Sequence, residues 1–188
     1  MRSLAALLVA CALVAGCKPA AKQSSLHEKE AARATEVAKL SGWDRAFAPD
    51  VAVGAANQFG FRAPAYAVAN GAYATTGGPV MISNSFAKKP NAVAFAAKGK
   101  AADKLDSIAF GLALTDPKSA EQAQQRLADI VRDYLFQSKI DAKPIHDAIA
   151  KGAAGKGRLA GTPYAIDKSA DHLTVTFTRT GASAPANS

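Results

Sequence analysis

Between residues 108 and 114 the chain alternates strictly. Ile108, Phe110, Leu112 and Leu114 take one parity, and Ala109, Gly111 and Ala113 take the other. A period of two belongs to a strand, because successive side chains leave a strand on opposite faces. One face of this strand is therefore large and apolar, and the opposite face is small. The same parity continues upstream. Val80, Ile82 and Phe86 alternate with Met81, Ser83 and Ser85, and Val93 and Phe95 alternate with alanines through Ala97. Lys88-Lys89-Pro90-Asn91 and Lys98-Gly99-Lys100 supply polar turns between these runs, which predicts an antiparallel meander of three strands. Two further strands are expected at 163–166 and 172–179. In the second, Leu173, Val175 and Phe177 point inward while His172, Thr174, Thr176 and Thr178 point outward, and 167–171 makes the turn.

Helical spacing sets in after the third strand. Asp116 suits an N-cap and Pro117 the first helical position. Ala120, Ala123, Leu127, Ile130, Val131, Tyr134 and Leu135 then fall on one stripe. Gln122, Gln125, Arg126, Asp129, Arg132 and Asp133 take the other side. Asp129 lies three residues from both Arg126 and Arg132, so an ion pair with each is expected, at about 0.2–0.5 kcal/mol apiece. A shorter helix begins near Pro144, sets Ile145 and Ile149 one turn apart, and ends at Gly152. Near the start, Ser25 and Glu28 fit a capping box for a helix over 26–40. Residues 43–79 mix Trp43, Phe47, Phe59, Phe61, Tyr66 and Tyr73 with Pro49, Pro64, Pro79 and several glycines. Short strands or loops with aromatic core plugs are the expectation there. Residues 152–161 are expected to form a flexible basic loop and 181–188 a disordered tail. The resulting fold class is α+β: an antiparallel sheet of about five strands with two or three helices mainly on one face, in a single domain over 26–180.

The first residues carry an address. Met1-Arg2 gives a positive start, 4–14 is an almost unbroken apolar run, and Ala15-Gly16 leads into Cys17. The run has the length of a signal-peptide core and is shorter than the ~20 residues of a membrane span. Val14-Ala15-Gly16-Cys17 resembles the lipobox of bacterial lipoproteins. That resemblance implies a signal peptide over 1–16, acylation of Cys17 as the first mature residue, and a polar tether over 17–25. It also implies an anchor in the membrane, which two or more acyl chains make stable. Lys18 stands where the family uses Asp to retain a lipoprotein at the inner membrane, which implies the periplasmic face of the outer membrane. Loss of Arg2 with the signal lowers the formal charge of +8 by one. A basic protein at that location suits anionic lipid headgroups, phosphorylated glycans or an acidic protein partner, and nucleic acid is not expected.

Few residue patterns point to chemistry. Cys11 and Cys17 are the only cysteines, so the domain beyond them has no disulfide, cysteine nucleophile or Cys-based zinc site. His27, His146 and His172 lack metal-ligand spacing, and no metal or other cofactor is expected. Consecutive helical residues diverge by ~100°, so His146 and Asp147 are not expected to pair. Gly155-Lys156-Gly157 fails the P-loop pattern, since Ala150 and Gly157 occupy the positions that need Gly and Ser or Thr. No Gly-x-Ser-x-Gly elbow occurs. Asp103, Asp106, Asp116, Asp129, Asp133, Asp167 and Asp171 each have a cap, turn or surface role, which argues against paired catalytic carboxylates.

A binding module is therefore expected, not an enzyme. Its candidate contacts are the basic residues Lys88, Lys89, Lys98, Lys100, Lys104, Lys156 and Arg158. The layout of signal, tether and compact domain is similar to immunity lipoproteins, which implies neutralisation of an envelope-targeting toxin. The alternative is a structural or assembly lipoprotein of the envelope or of a secretion system, binding peptidoglycan, lipopolysaccharide or a complex subunit.

Overall fold

A computed structural model describes residues 20–69, 71–83, 86 and 88–182. The predicted signal segment, Cys17 and all but the first two residues of the predicted tail lie outside them. The chain divides into a first unit ending at Glu36 and a second starting at Val37. The first contains most of helix α1 (Ala20–Lys39). This helix starts six residues before the predicted Leu26, inside the stretch read as a tether, because Ala20, Ala21, Lys22 and Gln23 are strong helix formers.

The second unit is a seven-stranded antiparallel sheet with helices against one face. Its strands are β1 (Ala67–Ala69), β2 (Ala72–Met81), β3 (Ala92–Gly99), β4 (Ser107–Ala113), β5 (Gly155–Leu159), β6 (Thr162–Lys168) and β7 (His172–Thr178), in spatial order β1-β2-β3-β4-β7-β6-β5. The α+β class holds, with two strands more than expected. The meander is β2-β3-β4, and the chain then leaves the sheet through one 3-10 turn (Pro117–Ser119), α4 (Ala120–Phe136) and α5 (Lys143–Ala150). It re-enters at the far edge and works back until β7 pairs with β4.

Three expectations are corrected. Residues 43–79 begin with helices α2 (Gly42–Ala46) and α3 (Pro49–Asn57). Pro49 sits in the first turn of α3, where its missing N–H leaves no bond unmade, so it starts a helix and does not break one. The predicted strand beginning at Val80 is only the end of β2. Its glycines and Pro79 are absorbed by a register shift between Gly77 and Val80, across a cis Gly78-Pro79 bond. Gly77 is required there, since a Cβ would lie 2.8 Å from both the Phe61 carbonyl oxygen and the Ala63 Cβ. Finally, the basic loop 152–161 is largely β5. It folds onto β6 through Ala160-Gly161, both at positive φ, the conformation of the tight turns that match strand twist.

The core lies between one sheet face and the helices. Phe95, Phe110 and Phe177 on the strands, Phe47 after α2, Phe61, and Leu127 and Leu135 on α4 are fully buried. Phe61, Phe95, Phe110 and Tyr134 form a connected ring cluster with centroid separations of 5.0–6.1 Å. Trp43 stacks against Phe47, contacts Phe177, and donates its indole N–H to the Leu159 carbonyl at 2.9 Å. The core-plug reading of the aromatic segment therefore holds for Trp43, Phe47 and Phe61. The stripe expected on α4 is buried as read from Ala123 to Leu135, joined by Gln124 and Ala128, while Ala120 at its start is half-buried. Tyr134 is buried with its hydroxyl unpartnered, and burial pushes its phenol above the ordinary value.

Candidate functional site

The second face of the sheet is the counterpart of the large-and-small alternation. Helices α2 to α5 contribute their buried residues to the core on the first face, and none of them covers the second. Register arranges this face in cross-strand rows. At one end Lys98, Ser107 and Thr178 are paired across β3, β4 and β7, and Pro163 and Arg158 are paired across β6 and β5. The next runs Thr76, Ala96, Ala109, Thr176, Ala165, Lys156 across six strands. A third holds Ala94, Gly111, Thr174 and Asp167, and a fourth Met81, Ala92, Ala113 and His172.

Strands spaced ~4.8 Å apart make this surface about 24 Å wide from β2 to β5, and four rows make it about 20 Å long. That is the scale of the largest patches on monomeric proteins, roughly 300–600 Å². Its centre carries no side chain larger than Thr. A partner can therefore approach the backbone closely over a flat area, but gains little energy from any one methyl.

Charge sits at the rim. Lys98 is exposed at one end of β3, and Lys156 and Arg158 are exposed on edge strand β5, where cations also discourage unwanted strand pairing. Asp167 is the acid within the rows. His172 is exposed, as expected, and lies 3.1 Å from Asp171. The hydrogen bond from His172, reinforced by Ser169, holds the Asp171 carboxyl below its ordinary range.

The structure separates the seven predicted contact residues. Lys88 and Lys89 lie on the connection entering β3, and Lys100 and Lys104 follow its other end, about 25 Å away at ~3.3 Å per residue. Only Lys98, Lys156 and Arg158 share the open face. The seven candidate contacts thus fall at two ends of the sheet and on the rim of its open face. Alternation and turns are visible in a sequence, but which strands become neighbours is not.

Each end has its own anchoring. Near Lys98 and Lys100, Asp106 accepts from the Lys100 backbone N–H at 3.0 Å and pairs with Arg179, which also donates to the Leu105 carbonyl at 2.9 Å. Tyr66 stacks on Tyr73 beside this network, and burial followed by the charge of Asp106 pushes its phenol up to about 12. At the other end, Thr115 Oγ1 donates to the carbonyls of Lys89 and Pro90. Asn91, read as a turn residue, is fully buried there. Its amide exchanges two hydrogen bonds with the Asp116 backbone (2.7 and 3.0 Å), and its own N–H donates to Ser83 Oγ at 3.0 Å. Asp116 caps the following turn through Lys118 N, as expected.

Of the two ion pairs expected around Asp129 on α4, the one with Arg132 forms and, among the described residues, the one with Arg126 does not. Asp129 accepts from Arg132 at 3.0 Å and lies 3.1 Å from His146 Nε2 on α5. His146 Nδ1 lies 3.4 Å from Asp147 Oδ1, so these neighbours do meet: both side chains are long enough to bend together despite diverging Cα–Cβ bonds. Among the described residues, no ion pair joins Arg126 to Asp129, and Arg126 faces a cavity. Also among the described residues, no group of three or more His, Cys, Asp or Glu is placed to hold a metal ion, and no helix is long and apolar enough to cross a membrane. No family model, curated protein or solved structure matches the chain.

Proposed function

We propose that this chain is a lipid-anchored protein-binding module of the bacterial envelope. Cys17 carries the anchor at the periplasmic face of the outer membrane. The module is an immunity or inhibitor protein that covers an acidic surface of an envelope-targeting toxin. The observation that carries this reading is the open small-residue sheet face with Lys98, Lys156 and Arg158 at its rim. The lipobox resemblance supports the anchor. A flat face without large anchors draws its specificity from close fit and its encounter rate from rim charge, so the complex weakens as salt screens charges over ~8 Å at physiological strength.

The test is capture from solubilised envelopes with the full-length protein and with Thr176→Arg, which plants a long side chain at the centre of the face. The expected result is an acidic protein retained by the wild type, lost with Thr176→Arg, and progressively lost with salt. Equal capture by both proteins removes the face from the account. Retention of peptidoglycan or lipopolysaccharide instead moves the chain to a structural or assembly role. Cys17→Ser is expected to release the protein from membranes.

A further inference from the structure

The sheet ends in two edge strands. β1 offers three residues, Ala67–Ala69, and β5 offers five, Gly155–Leu159. Residues 153–158 are all exposed, and a Cβ built at Gly155 would meet nothing within 4 Å. At Leu159 the edge is closed, since its carbonyl accepts the Trp43 indole N–H at 2.9 Å. An edge strand directs alternate backbone N–H and C=O groups outward, so an extended segment can add to it through the main chain. The two parities of β5 differ. Lys156 and Arg158 take the open-face parity, paired with Ala165 and Pro163. Arg158 donates to the Gly161 carbonyl at 2.8 Å within its own turn, and among the described residues neither cation has a carboxylate partner. Gly155 and Gly157 take the other parity, paired with Ile166 and Tyr164. The half-buried Tyr164 ring lies over Gly157, with Cε1 and Oη 3.0 Å from the place a Cβ would take. The edge thus carries two cations on one side and an aromatic ring on the other.

We propose that β5 accepts an extended segment of an acidic protein as an added strand. The segment alternates in character: acidic side chains stand beside Lys156 and Arg158, and apolar ones stand on the opposite side, beside the Tyr164 ring and the space at Gly155. Charge selects this occupant. A second copy of β5 sets Lys156 and Arg158 against cations, and like charges across strands are destabilising, whereas opposite charges across strands are stabilising. Main-chain hydrogen bonds supply affinity, and the alternating side chains supply specificity. The inference deepens the proposed contact with an acidic partner and rests on that reading for the partner, but strand addition itself is tested without it.

The probe is the peptide acetyl-Thr-Val-Glu-Val-Glu-Val-Thr amide, titrated into the full-length chain carrying Cys17→Ser. Binding is followed by backbone amide shifts and amide hydrogen exchange. The expected result is saturable binding, with shifts centred on 155–158 and slowed exchange of the outward amides of β5. The same peptide with lysine in place of glutamate does not bind. Methylating the peptide's backbone nitrogens on one parity abolishes binding and on the other leaves it, because alternate residues face the neighbouring strand. Affinity falls about tenfold when Lys156→Glu and Arg158→Glu are combined, since two opposite-charge pairs across the strands become like-charge pairs. Both residues are exposed on an edge strand, so the double substitution leaves the fold intact. Four results overturn the proposal: no saturable binding at millimolar peptide, equal binding by the double variant, equal binding of the two methylated forms, or shifts in β5 that grow with protein concentration alone, which assign the edge to a second copy. Each of these leaves capture of an acidic protein by the open face standing. Peptide binding without any captured protein removes the proposed function and keeps β5 as an acceptor of acidic strands.

Discussion

The two faces of one sheet share strands, hydrogen bonds and register, yet they differ sharply in side-chain size and burial. On the core side, Val93, Phe95, Ile108, Phe110, Leu112, Leu173, Val175 and Phe177 are fully buried. On the other, Ala94, Ala96, Ala109, Gly111, Thr174 and Thr176 remain half-buried or exposed. Burying a large apolar side chain contributes about 1.5–3 kcal/mol, so the core face alone accounts for most of what holds the sheet to its helices. The small face contributes little to stability. Its composition answers to shape and not to burial, which is why it is the surface where a partner is sought.

Substitutions at adjacent residues of one strand test that division most sharply. Phe110→Ala removes a ring packed against Phe61, Phe95 and Tyr134, and is expected to cost about 3–5 kcal/mol, read as a lowered urea midpoint. Asn91→Ala comes next. It leaves buried backbone groups of Asp116 without partners, at about 1–3 kcal/mol each, and so loosens the end of the core where the chain passes from β4 to α4. Tyr134→Phe has the opposite sign. Deleting a buried hydroxyl that has no partner is expected to raise stability by on the order of 1 kcal/mol.

The same tyrosines set an alkaline limit on the core side. Tyr134 and Tyr66 both titrate higher folded than unfolded, which means the folded protein favours their neutral forms. Their contribution is complete below the unfolded value near 10 and declines as pH rises through the folded values. Urea midpoints are therefore expected to fall above about pH 10, and by less in Tyr134→Phe. A midpoint independent of pH in that range contradicts the burial of Tyr134. The smallest stability effect belongs to the open face. Ala109→Thr, next to Phe110, is expected to change stability by no more than about 0.5 kcal/mol. A loss comparable with Phe110→Ala shows instead that this face is packed against something.

How much was legible follows from the same contrast. The parity of 108–114 and 172–178 was readable because each burial direction repeats every second residue. The stripe of α4 was readable because apolar residues recur at helical spacing over four turns. Strand β5 was not, since Gly155-Lys156-Gly157-Arg158 has no apolar alternation and only Leu159 is buried. It is a strand because the Ala160-Gly161 turn folds it onto β6. Helix α3 was hidden by reading Pro49 as a breaker when position makes it a starter. For the site, outward-facing residues were visible one strand at a time. The row that joins Thr76 to Lys156 was not, because it arises only when β7 returns beside β4. Spacing alone pairs Arg126 with Asp129. The competitor that displaced it, His146, comes from another helix.

The central claim is that the open face meets the partner, and photo-crosslinking in growing cells tests it directly. A photoreactive phenylalanine is placed either at Thr176, in the middle of the face, or at Gln125, exposed on the solvent side of α4. The account predicts a discrete adduct with an acidic protein from position 176 and none from position 125. An adduct from position 125 alone, with position 176 silent, contradicts it.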